Sequence, residues 1–186
     1  MIFAATDVVG VYRVDLERVA DERGFFARAW CRREFVAHGV DDELVQVNLA
    51  FSHKRGTLRG LHFQAPPHAE TKFVRCVRGA ALVVAVDLRP DSPSYLKWTS
   101  LELSADNRLA LLVPKGCAQG YQTLEGDTEM LYQMSAYYVP AAARGVRYDD
   151  PVFAIRWPLP PRALSPRDLA WPNYVIERHD ACSLEK

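Results

Sequence analysis

Long apolar runs, paired cysteines, a surplus of one charge and glycine-rich phosphate loops are all missing from this chain, and each absence excludes a class of protein. No uninterrupted apolar stretch reaches the roughly 20 residues that a bilayer-spanning helix needs. The opening Met1-Ile2-Phe3-Ala4-Ala5 meets Asp7 too soon to form the core of a signal peptide, so a cytoplasmic protein without membrane contact is expected. Lys plus Arg and Asp plus Glu number 23 each. No global field therefore recruits nucleic acid, and any phosphate site must be local. Cys31, Cys76, Cys117 and Cys182 lie far apart, with no C-x-x-C pair, which argues against a zinc knuckle or a disulfide framework. Neither G-x-G-x-x-G nor G-x-x-x-x-G-K-[ST] occurs, so a nucleotide would have to be held by side chains. Metal-carrying β-barrels need two or three histidines at ligand spacing. Here Gln64 stands two residues after His62, Gln119 stands in the later turn, and His38, His53, His68 and His179 have no such spacing. No metal is expected.

What remains reads as one globular domain over residues 1–186, with 49% hydrophobic and 25% charged residues. From about 43 to 140, short β-rich runs alternate with turn signals. Phe73 to Val77 and Ala80 to Leu88, separated by Arg78-Gly79, suggest a tight hairpin. Trp98 to Leu103, Leu109 to Val113 and Thr128 to Met134 continue the pattern, which indicates a mainly β sandwich or barrel. Helical signals are few: Arg32 to His38, stopped by Gly39, and Ser165-Pro166-Arg167-Asp168, with an N-cap serine and proline at the first helical position. The tail at about 173–186 is expected to be weakly ordered unless docked.

The chemistry concentrates in Arg59-Gly60-Leu61-His62-Phe63-Gln64, Pro66-Pro67 and Lys72. A histidine and a lysine close together can ionise a carbon acid, the imidazole taking the proton and the ammonium meeting the oxyanion. A satisfied structural histidine is the alternative. Arg23 and Arg59 each stand beside a glycine and could present a guanidinium fork to a diphosphate, or remain solvated surface groups. Tyr132, Tyr137 and Tyr138 are either packing residues with wet hydroxyls or a proton donor facing a pocket.

Together these segments resemble the dTDP-4-dehydrorhamnose 3,5-epimerase family, metal-free cupin epimerases of deoxysugar nucleotides. The likeness runs from about residue 7 to 172. It is carried by Asp21-Glu22-Arg23-Gly24-Phe25-Phe26, Gln46-Val47-Asn48, Gly56 to Gln64, Lys72-Phe73-Val74-Arg75, Val84 to Arg89, Pro114-Lys115-Gly116, Tyr137-Tyr138-Val139-Pro140 and Arg144 to Pro151. The resemblance implies a cupin jelly roll, with inversion of C3 and/or C5 in a nucleoside-diphosphate 4-keto-6-deoxyhexose through an enolate and without a cofactor. It implies His62 as base, Asp168 as the carboxylate orienting it, Lys72 at the C4 oxygen and Tyr132 as opposite proton donor. Arg23, Gln46, Asn48 and Arg59 would hold nucleotide and diphosphate, with Phe26 and Tyr138 against the base. A homodimer is implied, because the N-terminal segment of such proteins completes a neighbour's sheet and site.

Two positions depart from the family pattern. Its Ala-His-Gly turn reads Ala118-Gln119-Gly120, where the amide can bond a sugar hydroxyl but cannot relay a proton. That change bears on how the sugar sits and whether one or both centres invert. The family's Phe-Phe-x-Glu reads Phe25-Phe26-Ala27-Arg28. An Arg28 inside the pocket offers only donors and suits CDP or GDP; an Arg28 turned elsewhere leaves dTDP as the family's nucleotide. The alternative activities are a 3,4-ketoisomerase on a similar sugar nucleotide and a catalytically silent sugar-nucleotide-binding protein.

Overall fold

The computed structural model describes residues 1–176; His179, Cys182 and the rest of 177–186 lie outside the described residues. Two antiparallel sheets face each other. The larger has the order β1 (Ile2–Ala5), β2 (Tyr12–Asp15), β10 (Ala110–Val113), β7 (Lys72–Arg78), β12 (Thr128–Met134) and β5 (Gln46–Ser52). The smaller has the order β13 (Ala143–Gly145), β6 (Leu58–Gln64), β11 (Cys117–Thr123), β8 (Ala80–Asp87) and β9 (Trp98–Ser104). A separate hairpin joins β3 (Arg18–Asp21) to β4 (Gly24–Ala27). The architecture is a sandwich, and no closed barrel forms among the described residues. Strands from outside 43–140 join both sheets, β1 and β2 at one edge and β13 at another.

The expected hairpin across Arg78-Gly79 is not one. β7 pairs with β10 and β12 in the large sheet, whereas β8 pairs with β11 and β9 in the small sheet. Gly79, at φ 71°, turns the chain from one layer to the other. A Cβ there would lie 2.6 Å from Thr128 Oγ1, so the corner admits no side chain. Alternation and a turn dipeptide look the same in sequence whether the chain folds back in its own sheet or crosses the sandwich.

The core fills the space between the layers. Val74, Leu111 and Met130 of the large sheet meet Val83, Ala85, Leu103 and Tyr121 of the small one, and all are buried. The outer face of the small sheet is also covered: Val84, Val86 and Ala118 pack against Val146 and Phe153 of the returning C-terminal segment. Covering on both faces is why β8 reads as the unbroken apolar run Ala-Ala-Leu-Val-Val-Ala-Val. On the large sheet, Phe35 of α1 (Arg32–Ala37) packs on Val14, Phe73, Ala110 and Leu112. A helix of six residues is marginal alone. Burying its phenylalanine supplies about 1.5–3 kcal/mol, which holds it in place.

Cys76 and Cys117 are small hydrophobes in this core, with thiols that burial pushes up to about 11 and about 12. They are inert at neutral pH.

Asp87, fully buried at the end of β8, ties the N-terminal segment to the loop that follows. Its carboxylate accepts from Arg89 Nε and Nη2, both at 2.7 Å, and from the hydroxyls of Ser92 and Ser94 at 2.5 and 2.6 Å. Arg89 Nη2 also donates to the Val9 carbonyl, and Ser94 Oγ accepts from the Val9 N–H. Burial pushes this carboxyl up, but the Arg89, Ser92 and Ser94 bonds outweigh it and the net shift is downward. A depressed folded-state value means the stabilisation is complete above the unfolded value of about 3.9 and is lost as pH falls through the folded one. Asp87→Ala strands a partly buried guanidinium and is expected to cost about 3 kcal/mol in urea unfolding at neutral pH. A loss within error of zero would show the knot to be dispensable.

Candidate active site

Two glycines bring the key strands together. Gly60 on β6, at φ 115°, faces Gly120 on β11; a Cβ on Gly60 would lie 2.6 Å from the Gly120 Cα. A Cβ on Gly120 would lie 2.8 Å from the Arg59 carbonyl oxygen. Only glycine permits this approach, and the β6–β11 register shifts here, between Gln119 and Tyr121. As a result His62 stands directly across from Gln119. On the large sheet, Tyr132 of β12 stands across from Asn48 of β5. The two pairs converge on a cavity of about 560 Å³ between the sheets, lined by Asn48, Arg59, His62, Lys72, Gln119 and Tyr132, among others.

The C-terminal segment supplies the last wall. Leu58 N–H donates to the Ala163 carbonyl, and a parallel bridge joins Thr57 to Ala163. The chain then enters α2 (Pro166–Leu169), where Ser165 Oγ accepts from the Asp168 N–H at 3.0 Å as the N-cap. This turn aims the buried Asp168 carboxylate at His62, with Nε2 to Oδ1 at 2.5 Å. Burial pushes Asp168 up, but the His62 ring, Ser165 and the Gly60 backbone N–H outweigh it and leave it below the usual carboxylate range. The carboxylate is therefore ionised at neutral pH. It holds the imidazole proton on Nε2 and leaves the Nδ1 lone pair without a protein partner among the described residues, so this nitrogen can accept a proton.

Lys72 is buried where the first cavity meets a second of about 360 Å³. Its Nζ donates to the His62 carbonyl at 2.7 Å and lies 3.1 Å from Glu70 Oε1. Burial pulls the ammonium down from its usual value and Glu70 pushes it back. Tyr132 is pushed well above the ordinary phenol value, by burial first and by the Tyr121 phenol second. It is a neutral donor at any physiological pH.

Gln46, Asn48 and Tyr138 line the second cavity. Gln46 Nε2 donates to Asn48 Oδ1 at 2.8 Å, and the Tyr138 N–H donates to Gln46 Oε1 at 3.4 Å. Arg59 donates to Ser52 Oγ and the Phe51 carbonyl while lining the first cavity. The Gln119 Nε2 is buried and has no hydrogen-bond partner among the described residues. A buried amide left bare at a cavity wall is a ready donor to a ligand oxygen.

Residues of the N-terminal hairpin do not join this group. Arg23 is exposed and paired with Asp21, and Phe26 is 76% exposed. Arg28 donates to Glu34 Oε1 at 2.6 Å, and Glu34 also holds the N-terminal amine. None of the three lines either cavity within the chain. Among the described residues no group of three or more His, Cys, Asp or Glu could hold a metal ion, and no helix is long and apolar enough to cross a membrane.

Comparison with known proteins places most of the chain in one family. The sequence profile of one family, described as dTDP-4-dehydrorhamnose 3,5-epimerase, matches residues 5–175. The chain belongs to that family. The dTDP-4-dehydrorhamnose 3,5-epimerase of Sinorhizobium fredii (strain NBRC 101917 / NGR234) is 41% identical over 174 residues, covering 93% of this chain and 89% of the relative. The dTDP-4-dehydrorhamnose 3-epimerase of Streptomyces niveus is 38% identical, covering 87% of this chain and 78% of the relative. The crystal structure of the dTDP-4-dehydrorhamnose 3,5-epimerase from Bacillus anthracis str. Ames, with TDP and PPi bound, superposes with a TM-score of 0.89 at 38% identity. It covers 93% of this chain and 99% of that one.

Reading the sequence as a family member missed three residues that the epimerase fold brings to the cavities. Glu70 is buried beside Lys72. Arg167 lines both cavities, donates to the Tyr138 hydroxyl at 3.1 Å and lies over the Trp171 ring. Arg144 lines the second cavity. Arg167 had a signal, adjacent to Asp168 on a capped turn. The pairing of Glu70 with Lys72 had only its i, i+2 spacing before a strand.

Proposed function

We propose that this protein inverts C3, C5 or both in a dTDP-4-keto-6-deoxyhexose, by deprotonation and reprotonation without a cofactor. The observation that carries the reading is the His62–Asp168 pair opening into one cavity with Lys72 and Tyr132. The C4 ketone acidifies the neighbouring C–H. His62 Nδ1 takes that proton, the electron pair moves into the C–C–O system, and the Lys72 ammonium meets the resulting enolate oxygen. Tyr132 then gives its phenolic proton to the opposite face of the carbon. Solvent restores the phenol and removes the proton from the imidazolium. Asn48, Arg59 and Arg167 would hold the diphosphate, with Gln46 and Tyr138 toward the base. Gln119 donates to a sugar oxygen.

The same reading makes the active form a dimer. Val19 and Phe26 form a cross-strand pair 72% and 76% exposed, while Phe25 on the other face is sandwiched by Arg18 and Arg108. Val47 and Leu49 are exposed on the edge strand β5. A second copy would cover these faces and receive Arg23, Phe26 and Arg28 at its own cavity, where Arg28 would decide between dTDP and CDP or GDP. Sedimentation equilibrium of the full chain checks this; a monomer at micromolar concentration rejects it.

The direct test is incubation in D₂O with several 4-keto-deoxysugar nucleotides, followed by NMR. Deuterium is expected at C3, C5 or both, and label at a single carbon defines a mono-epimerase. Absence of label from every substrate, in a folded sample, rejects the epimerase reading.

A further inference from the structure

Lys72 is an unusual place to keep a positive charge. Its side chain is 8% exposed, and an ammonium taken from water inside a protein tends to lose its proton. An ammonium has three donors. The His62 carbonyl takes one and Glu70 Oε1 faces another, so both fix the direction of the third toward the cavity. The His62 contact is a neutral dipole. Among the described residues Glu70 is the only anion within ion-pair distance of Nζ, and its side chain is 3% exposed. Its second oxygen, Oε2, is buried with no hydrogen-bond partner among the described residues. No arginine or backbone N–H among them competes for that carboxylate, and in a poorly solvated site its field falls on the ammonium.

We infer that Glu70 is a positioning residue for the reaction: its buried carboxylate keeps the Lys72 ammonium charged and turned toward the substrate carbonyl oxygen. This rests on the epimerase reading and assigns a role to a residue outside the proton-transfer path. The other titratable groups on the cavity walls shared by Lys72 are Arg59 and His62 of β6, Tyr121 and Tyr132, and Arg167 and Asp168 of α2. Tyr138 and Arg144 line the second cavity with it. The neighbouring strand β10, whose Val113 pairs with Lys72, brings no charged group. The arginines oppose a charged Lys72, and Asp168 is already engaged by His62. Glu70 is left as the group that offsets both burial and repulsion.

The experiment follows the lysine itself. The sequence has five lysines, so ¹³Cε-lysine labelling of the full chain gives a countable spectrum, with the Lys72 signal assigned by its loss in Lys72→Arg. The midpoint of the Lys72 titration is expected to fall by about one pH unit or more in Glu70→Gln. In Glu70→Asp, which withdraws the charge by one methylene, it should fall between the two. Above both midpoints, deuterium exchange into substrate should lose about tenfold in kcat for every pH unit by which the midpoint has fallen, with KM nearly unchanged. A purely structural role for Glu70 would lower stability without moving the midpoint. Coincident midpoints in all three proteins overturn the inference, as does a moved midpoint with an unaltered pH profile of exchange. If the unaltered protein exchanges nothing, the epimerase reading has failed, and the titration still decides whether Glu70 governs the charge on Lys72.

Discussion

His62→Ala is expected to abolish deuterium exchange at the sugar carbons while nucleotide binding persists. The loss should reach about 10²–10⁴ in rate, the range a positioned general base supplies. Most of the groups proposed to hold the nucleotide lie on other elements: Gln46 and Asn48 on β5, Tyr138 before the 3-10 turn Pro140–Ala142 and Arg167 on α2. Arg59 shares β6 with His62 but is anchored separately, by Ser52 and the Phe51 carbonyl. The affinity for dTDP should therefore stay within a few-fold. Truncation also removes the partner of a buried carboxylate, and an unpaired Asp168 costs about 1–3 kcal/mol. That side effect must be separated from chemistry. His62→Gln does so, because its amide N–H can replace the Nε2–H bond to Asp168 while supplying no base. Both variants should be equally inactive, with the glutamine variant the more stable in urea. Exchange at the unaltered rate in either folded variant would mean that another group removes the proton.

Much of this site was legible before any coordinate, for identifiable reasons. Tyr132 sits on a strand read from the polar and apolar faces of Thr128–Met134, and the strand period fixes which side chains share a face. Gln119, read as part of a turn, instead sits within strand β11, which is buried along its whole length and so shows no alternation. The Ser165-Pro166 start of α2 could be read because N-caps and N1 prolines are local chemistry. What escaped was relational. The Arg78-Gly79 turn proved to be a corner between sheets, because turn residues report a change of direction and not the layer in which the chain continues. β1 and β2, each four residues long and outside the run of regularly spaced strands, escaped the strand pattern. Glu70 escaped because its partner is recognised only when burial removes the solvent that would otherwise screen it. Arg23, Phe26 and Arg28 were marked as site residues by resemblance, and within one chain they stand in the solvent-facing hairpin and the segment after it. A role for them at the site needs the second copy proposed above.

Tyr132→Phe is expected to separate two events that the unaltered enzyme couples. Proton removal by His62 needs the imidazole, Asp168 and Lys72, which hold one another through bonds that do not involve the Tyr132 hydroxyl. The enolate should still form, and the imidazolium, once its proton has exchanged with solvent, can return deuterium to the face it came from. Label therefore enters with retention of configuration, while inverted product falls by about 10²–10³, the contribution of one positioned acid. The phenol's strongly raised pKa adds a second expectation: between neutral and moderately alkaline pH, Tyr132 stays protonated. Any alkaline limb in that range belongs to the Lys72 ammonium, which burial pulls down, and should survive in Tyr132→Phe. Tyr121 is the control, since it lines the same cavity and its ring lies 6.3 Å from that of Tyr132. Should Tyr132→Phe invert at the unaltered rate and Tyr121→Phe not, the donor is the neighbouring phenol and the geometry of proton return must be redrawn around β11.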